Sequence, residues 1–249
     1  MESFYDVLAF YYDTMQSDMD APAWAEFLDR LINRFGKDIK TVCDLGCGTG
    51  SVDVLLAGMG YEITGIDNAP AMLSMAAAKE NGDKILWVDQ DITEFEVPGK
   101  FDCFLSLMDT VDHIMDEAAV RKLFADVSRN LRKGGLFVFD CITEKHLKET
   151  LGDNVFYEDY DDFTLLWVNG YDEESRTNTA DLTLFECEED GRYVRYDGAL
   201  VERFYEPEFF TECAKDAGLS LCGVFDELEE RAPAEDSERI FMVFRKGEI

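Results

Sequence analysis

The 249-residue chain carries 54 acidic against 23 basic residues, a formal net charge of −31 at pH 7, with 47% hydrophobic and 13% aromatic residues. That length suits one or two domains with an ample core, and the apolar content argues against disorder. The charge repels phosphate backbones and anionic lipid surfaces, so neither nucleic acid nor a membrane is expected as a partner.

No run approaches the roughly 18–20 apolar residues of a spanning helix. The start, Met1-Glu2-Ser3-Phe4, has no basic region, and the first basic residue is Arg30, so no secretory leader is expected. The seven cysteines are scattered without a C-x-x-C pair. They read as reduced thiols of a cytoplasmic chain, with no disulfide frame and no metal site expected.

In chain order, Trp24, Phe27, Leu28, Leu31 and Phe35 form a helical stripe that Gly36 closes. Short β-rich runs then fall at 41–45, 62–66, 85–88, 101–107 and 136–139, and helical stretches at 51–57, 69–80 and 117–131 lie among them. This alternation predicts βαβ units on a doubly wound, mostly parallel sheet. After Cys141 the pattern changes. Runs at 163–171, 177–187 and 192–204, broken by acidic turn-like segments, predict an inserted antiparallel meander. A helix over 207–217 leads to strands at 219–225 and 240–244, which can return to the main sheet as a hairpin-like edge.

The segment that carries chemistry is Asp44-Leu45-Gly46-Cys47-Gly48-Thr49-Gly50-Ser51. It follows a predicted strand and opens a predicted helix, the setting of a nucleotide-binding glycine loop. Without Cβ atoms the turn is tight and its amides accessible, and the helix start offers unpaired N–H groups. Asp67, at the end of the next strand, can accept hydrogen bonds from both ribose hydroxyls. A dinucleotide fingerprint, G-x-G-x-x-G/A counted from Gly46, fails at Ser51. Asp44 would oppose a pyrophosphate but suits a ligand with ammonium or sulfonium charge, such as S-adenosylmethionine (SAM).

On these residues the chain resembles the class I SAM-dependent methyltransferases, and the resemblance covers most of its length. Asp44 to Gly50 resembles the first motif of that family, so Asp44, Gly46, Cys47 and Gly48 are implied at the methionine part of the cofactor. Gly65-Ile66-Asp67-Asn68-Ala69-Pro70-Ala71-Met72-Leu73 resembles the second. It implies Asp67 at the ribose, with Asn68 and Met72 near the adenosine. Asp89-Gln90-Asp91-Ile92 resembles the third, with Asp91 and Ile92 at the adenine. The run 101–107, ending at Leu107, resembles the fourth strand, whose end faces the transferred methyl. Tyr11-Tyr12-Asp13 with Trp24 resembles the N-terminal cap of small-molecule members, and Tyr12 is taken as a cofactor contact. The stretch Met108-Asp109-Thr110-Val111-Asp112-His113 lacks the Asn/Asp-Pro-Pro-Tyr/Phe of amino-methylating DNA and protein-glutamine enzymes.

The implied architecture is a Rossmann-like seven-stranded α/β sandwich. It would be a single domain over 1–249, with a helical cap at 1–36 and the β insertion at about 145–205. The implied reaction transfers a methyl group from SAM to a small-molecule acceptor, yielding S-adenosylhomocysteine (SAH). His113, Asp109 and Asp112 are the candidate catalytic residues after strand four, His113 having the intrinsic pKa of a base. Their alternative is a histidine that caps or packs the next helix beside two solvated aspartates. The alternative for Asp91 is a helix or turn cap after strand three. Trp167 and Tyr171 are read as core that could also wall an acceptor. An NAD(P)-dependent oxidoreductase and a non-enzymatic SAM-binding protein are the alternative functions. A homodimer is compatible with the acidic surface and the insertion.

Overall fold

A computed structural model describes residues 4–247, with the side chain of Tyr5 excepted. Residues 1–3 of the start read above lie outside the described residues. Two helices open the chain. α1 (Phe4–Met15) is followed by α2 (Ala21–Phe35), which starts where the Asp20 carboxylate accepts the Ala23 N–H at 3.0 Å and ends at Gly36. Its stripe of Trp24, Phe27, Leu28 and Leu31 is buried, as the periodicity predicts.

The alternation that follows is β1 (Thr41–Leu45), α3 (Asp53–Met59), β2 (Glu62–Asp67), α4 (Pro70–Ala78), β3 (Leu86–Asp89), β4 (Phe101–Ser106), α5 (Glu117–Asn130) and β5 (Leu131–Ile142). After it come the strands β6 (Val155–Asp159), β7 (Phe163–Asp172), β8 (Thr177–Cys187) and β9 (Tyr193–Arg203), then α6 (Pro207–Asp216), β10 (Leu219–Asp226) and β11 (Arg239–Lys246).

Seven strands form the main sheet in the order β10-β11-β5-β4-β1-β2-β3. The pairs β1–β2, β1–β4, β2–β3 and β4–β5 are parallel, whereas β11 runs antiparallel to β5 and β10. β11 alternates across the sheet. Phe241 and Val243 face the layer of α2 and α3, and Met242 and Phe244 face Phe124 of α5 and Phe210 of α6. This is the doubly wound, mostly parallel sheet that the β-rich spacing predicts, with helices on both faces. The second sheet, β6-β7-β8-β9, is wholly antiparallel. Its inner side chains Phe163, Leu165, Leu182 and Leu184 bury Val7 and Leu8 of α1.

Two elements depart from the sequence reading. β5 begins at Leu131 rather than 136, because Leu131 already pairs with Phe101 before the chain passes Gly134 at φ 75°. β6 has no counterpart in the sequence pattern: a short edge strand needs hydrogen bonds from β7 alone and no alternating burial. Among the described residues no helix is long and apolar enough to cross a membrane, and all seven cysteines are free.

Candidate active site

The parallel strands end on one side of the sheet, where an α/β fold presents its ligands. There β1 gives way to the glycine loop. Gly46 and Cys47 donate their N–H groups to the Ile66 carbonyl at 2.7 and 3.0 Å, which docks the loop on the end of β2. Gly46 has φ +82°, and a Cβ there would fall 2.3 Å from Thr110 Cγ2, so only glycine fits between β1 and the turn after β4. A Cβ on Gly48, in contrast, would meet nothing within 4 Å. That position faces open space, and the cradle is free to take a ligand against its backbone.

The loop rims a cavity of about 620 Å³. Every residue that the motifs imply at the cofactor lines it: Tyr12, Asp44, Gly46, Cys47, Gly48, Asp67, Asn68, Met72, Asp91, Ile92 and Leu107. The Asp67 carboxylate accepts the Gly48 N–H through Oδ2 and the Ala69 N–H through Oδ1, both at 2.8 Å. Burial pushes the carboxyl up and those amides pull it back, with the balance above the ordinary range. Each oxygen keeps a lone pair for a hydroxyl. Asp91 accepts the Thr93 N–H and hydroxyl at 2.8 and 2.7 Å, so it caps a turn as well as lining the cavity.

Asp44 is buried, and its Oδ1 has no partner. Burial raises its carboxyl to about 7. An orphaned acid under the glycine loop is a group that a cationic ligand would satisfy, and SAM carries both an ammonium and a sulfonium charge. Tyr12 reaches the cavity from α1, where burial and the nearby Asp109 raise its hydroxyl. Its neighbour Tyr11 turns away and donates to Glu186 at 2.8 Å.

The three candidates after β4 separate. His113 lines the cavity. Its Nδ1 lies 3.0 Å from the Val201 carbonyl of β9, and its Nε2 lies 3.8 Å from Asp109 Oδ2. A carbonyl only accepts, so the neutral ring carries its proton on Nδ1 and leaves the Nε2 lone pair free. Asp109 does not line the cavity and pairs with Arg239 of β11 at 2.5 Å. Burial works to raise Asp109, but Arg239 and His113 outweigh it and hold the carboxyl below the ordinary range. Asp112 does not line the cavity. It points into the core, fully buried, and accepts the Ile142 N–H at 2.8 Å. The expectation of a solvated carboxylate there is corrected, because the short turn Thr110–His113 rotates this side chain under β5. Trp167 and Tyr171 do not line the cavity either.

Donor atoms of Asp109, His113 and Glu202 lie within 4.8 Å of one another. The Arg239 guanidinium already supplies the positive charge at Asp109. Sequence reasoning gave no site role to Asp13, Asp53, Met108, Asp116 or Leu200, which also line the cavity. Asp53 was discoverable, as an acid in the first turn of the helix behind the loop. Leu200, brought from β9 across the fold, had no local signal.

A family profile described as "Methyltransferase domain" matches residues 42–135. A methyltransferase-named protein of Geobacillus sp. (strain WCH70) is 28% identical over 245 residues, covering 97% of this chain and 99% of that protein. One of Bacillus subtilis (strain 168) is 27% identical over 245 residues, covering 98% and 97%. A solved SAM-dependent methyltransferase from Clostridium acetobutylicum ATCC 824 superposes with a TM-score of 0.85 at 25% identity, covering 96% of each chain. With likeness to SAM-dependent methyltransferases along almost its whole length and a glycine loop that rims the cavity, the chain is identified as a SAM-dependent methyltransferase of the class I fold.

Proposed function

We propose that this methyltransferase acts in the cytoplasm on a small acceptor that is neutral or cationic where it meets the cofactor. The observation that carries this reading is the lining of the cavity. Asp13, Asp44, Asp53, Asp67, Asp91 and Asp116 line it, with no lysine or arginine among the described lining residues. A carboxylate or phosphate on the acceptor would meet this acidic lining with no lysine or arginine to pair it. In this reading Asp44, Gly46, Cys47 and Gly48 hold the methionine portion of SAM, Asp67 the ribose, and Asn68, Met72, Asp91 and Ile92 the adenosine. Tyr12 and Leu107 close the cavity around them. The N-terminal helices and the insertion wall the acceptor, to which Gln16, Met19 and Leu200 contribute apolar and polar surface.

SAM supplies an electrophilic methyl on sulfur. The acceptor lone pair forms the new bond to that carbon as the carbon–sulfur bond breaks, leaving neutral SAH. Most of the rate comes from holding the two groups in line. An acceptor that must lose a proton delivers it to His113 Nε2, and the Asp109 carboxylate at 3.8 Å stabilises the imidazolium formed. The free thiols suit a reducing compartment.

The test is methyl transfer from radiolabelled SAM to a panel of small amines, alcohols, phenols, carboxylates and phosphates. Turnover is expected on neutral or amine acceptors, with His113→Ala lowering it by about 10²–10⁴-fold for acceptors that need a base. Turnover confined to anionic acceptors overturns the reading.

A further inference from the structure

The turn after β4 holds a backbone conformation that its sequence does not favour. Met108 and Asp109 are consecutive non-glycine residues with φ +58° and +53°, where a Cβ crowds the backbone. Their amides converge on one carboxylate. The Met108 N–H donates to Asp140 Oδ1 at 2.7 Å and the Asp109 N–H to Asp140 Oδ2 at 2.9 Å. Asp140 lies near the end of β5, fully sealed from solvent. Arg239 bridges it to Asp109, so the buried charge is compensated.

What this arrangement fixes is the wall of the site. Met108 and Thr110 line the cavity. Thr110 stands against Gly46, with its Oγ1 on the Leu107 carbonyl at 2.7 Å. His113 follows within the same turn. A carboxylate serving stability alone needs Arg239 as its partner. The two amide contacts tie it instead to the strained segment that presses on the glycine loop.

We propose that Asp140 is a positioning residue for methyl transfer, its carboxylate holding the left-handed Met108–Asp109 turn against the glycine loop and so setting the wall of the SAM cavity. This rests on the reading of that cavity as the cofactor site. Asp140→Asn keeps the shape but presents an N–H to one of the two amide donors, so the turn relaxes. Glycine at 108 adopts positive φ without help, and Met108→Gly therefore removes much of the need for the carboxylate.

The experiment is a double-mutant cycle on the full chain, read by titration with SAM and with SAH, with thermal midpoints recorded alongside. Asp140→Asn is expected to weaken SAM binding by about tenfold or more in the parent chain, but by less than about threefold in a Met108→Gly background. An equal loss in both backgrounds, or no loss, overturns the proposal. Should Asp140→Asn not fold, Met108→Gly must restore its fold, and failure to do so overturns it as well. A parent chain that binds neither SAM nor SAH overturns the cavity reading beneath it, and that outcome is seen before any variant is made.

Discussion

Asp44, at the end of β1, and Asp53, in the first turn of α3, bury their carboxyls next to each other beneath the glycine loop, and neither oxygen of Asp53 has a hydrogen-bond partner. Burial raises both groups, Asp44 to about 7; Asp44 raises Asp53 further, whereas contact with Asp53 favours the ionised form of Asp44. The pair therefore holds protons in the folded chain that an unfolded chain releases near pH 4.

The sign follows from linkage. A folded-state pKa above the unfolded value stabilises the chain at pH below about 4, and that contribution is lost as pH rises through about 7. A cationic cofactor favours the ionised form, so SAM binding should release a proton. Affinity should rise between pH 6 and 8, by no more than about tenfold per unit. Asp53→Asn removes the acid that favours ionised Asp44 and should shift that dependence to higher pH. Titration calorimetry in two buffers of different ionisation enthalpy at pH 6.5 measures the proton directly. A binding enthalpy independent of buffer would refute the link.

The glycine loop divides into positions that pack and positions that face the ligand, and the two should fail differently. Gly50 sits at φ +64°, with a Cβ there only 2.4 Å from Trp87 Cη2. The ring cannot retreat freely, because Trp87 Nε1 donates to the Gly82 carbonyl at 2.9 Å. Gly50→Ala thus adds a steric clash to backbone strain and should cost about 2–4 kcal/mol. For a chain of this size that lowers the melting midpoint by about 5–15 °C. Gly48→Ala, which meets open space, should cost about 1–2 kcal/mol of stability but weaken SAM binding more. Paired thermal melts and titrations read both quantities, and the reverse ranking would contradict this division.

The loop and the alternating strands were legible because their signals are local. Glycines, an acid two residues before them and an acid at the end of the next strand lie within one βαβ unit. The rest of the site depends on contacts that sequence spacing does not encode. Trp87 shapes the loop from β3, Leu200 reaches the cavity from the insertion, and Arg239 meets Asp140 across 99 residues. Asp109, Asp112 and His113 looked alike in sequence as a polar cluster after β4. Around a single short turn the first pairs with Arg239 off the cavity lining, the second points into the core and the third reaches the wall. Direction on a turn is a property of backbone dihedrals, here two positive φ values at Met108 and Asp109, and no composition reveals it.

Helix α1 is fastened to the glycine loop by a polar latch. Lys79 Nζ lies 2.6 Å from Asp13 Oδ2 and donates to the Thr49 carbonyl and the Ser51 hydroxyl at 2.8 and 2.7 Å. Asp13 Oδ1 accepts the Thr49 and Ser51 hydroxyls at 2.5 and 3.2 Å. Burial opposes ionisation of Asp13, but Lys79 and the two hydroxyls outweigh it and keep the carboxyl below its ordinary range. The pair is partly exposed, so it contributes at most about 1 kcal/mol to stability. Its larger effect should be kinetic, because α1 carries Tyr12 and Gln16 into the cavity. Lys79→Met should leave the fold intact and raise the SAM dissociation rate by about three- to tenfold, with the association rate changing less. Added salt should speed dissociation from the parent chain more than from the variant, since only the parent has this ion pair to screen. Stopped-flow displacement of SAM at two ionic strengths decides the matter: equal salt sensitivity in the two proteins would mean that α1 is held by its apolar contacts with the second sheet and not by the latch.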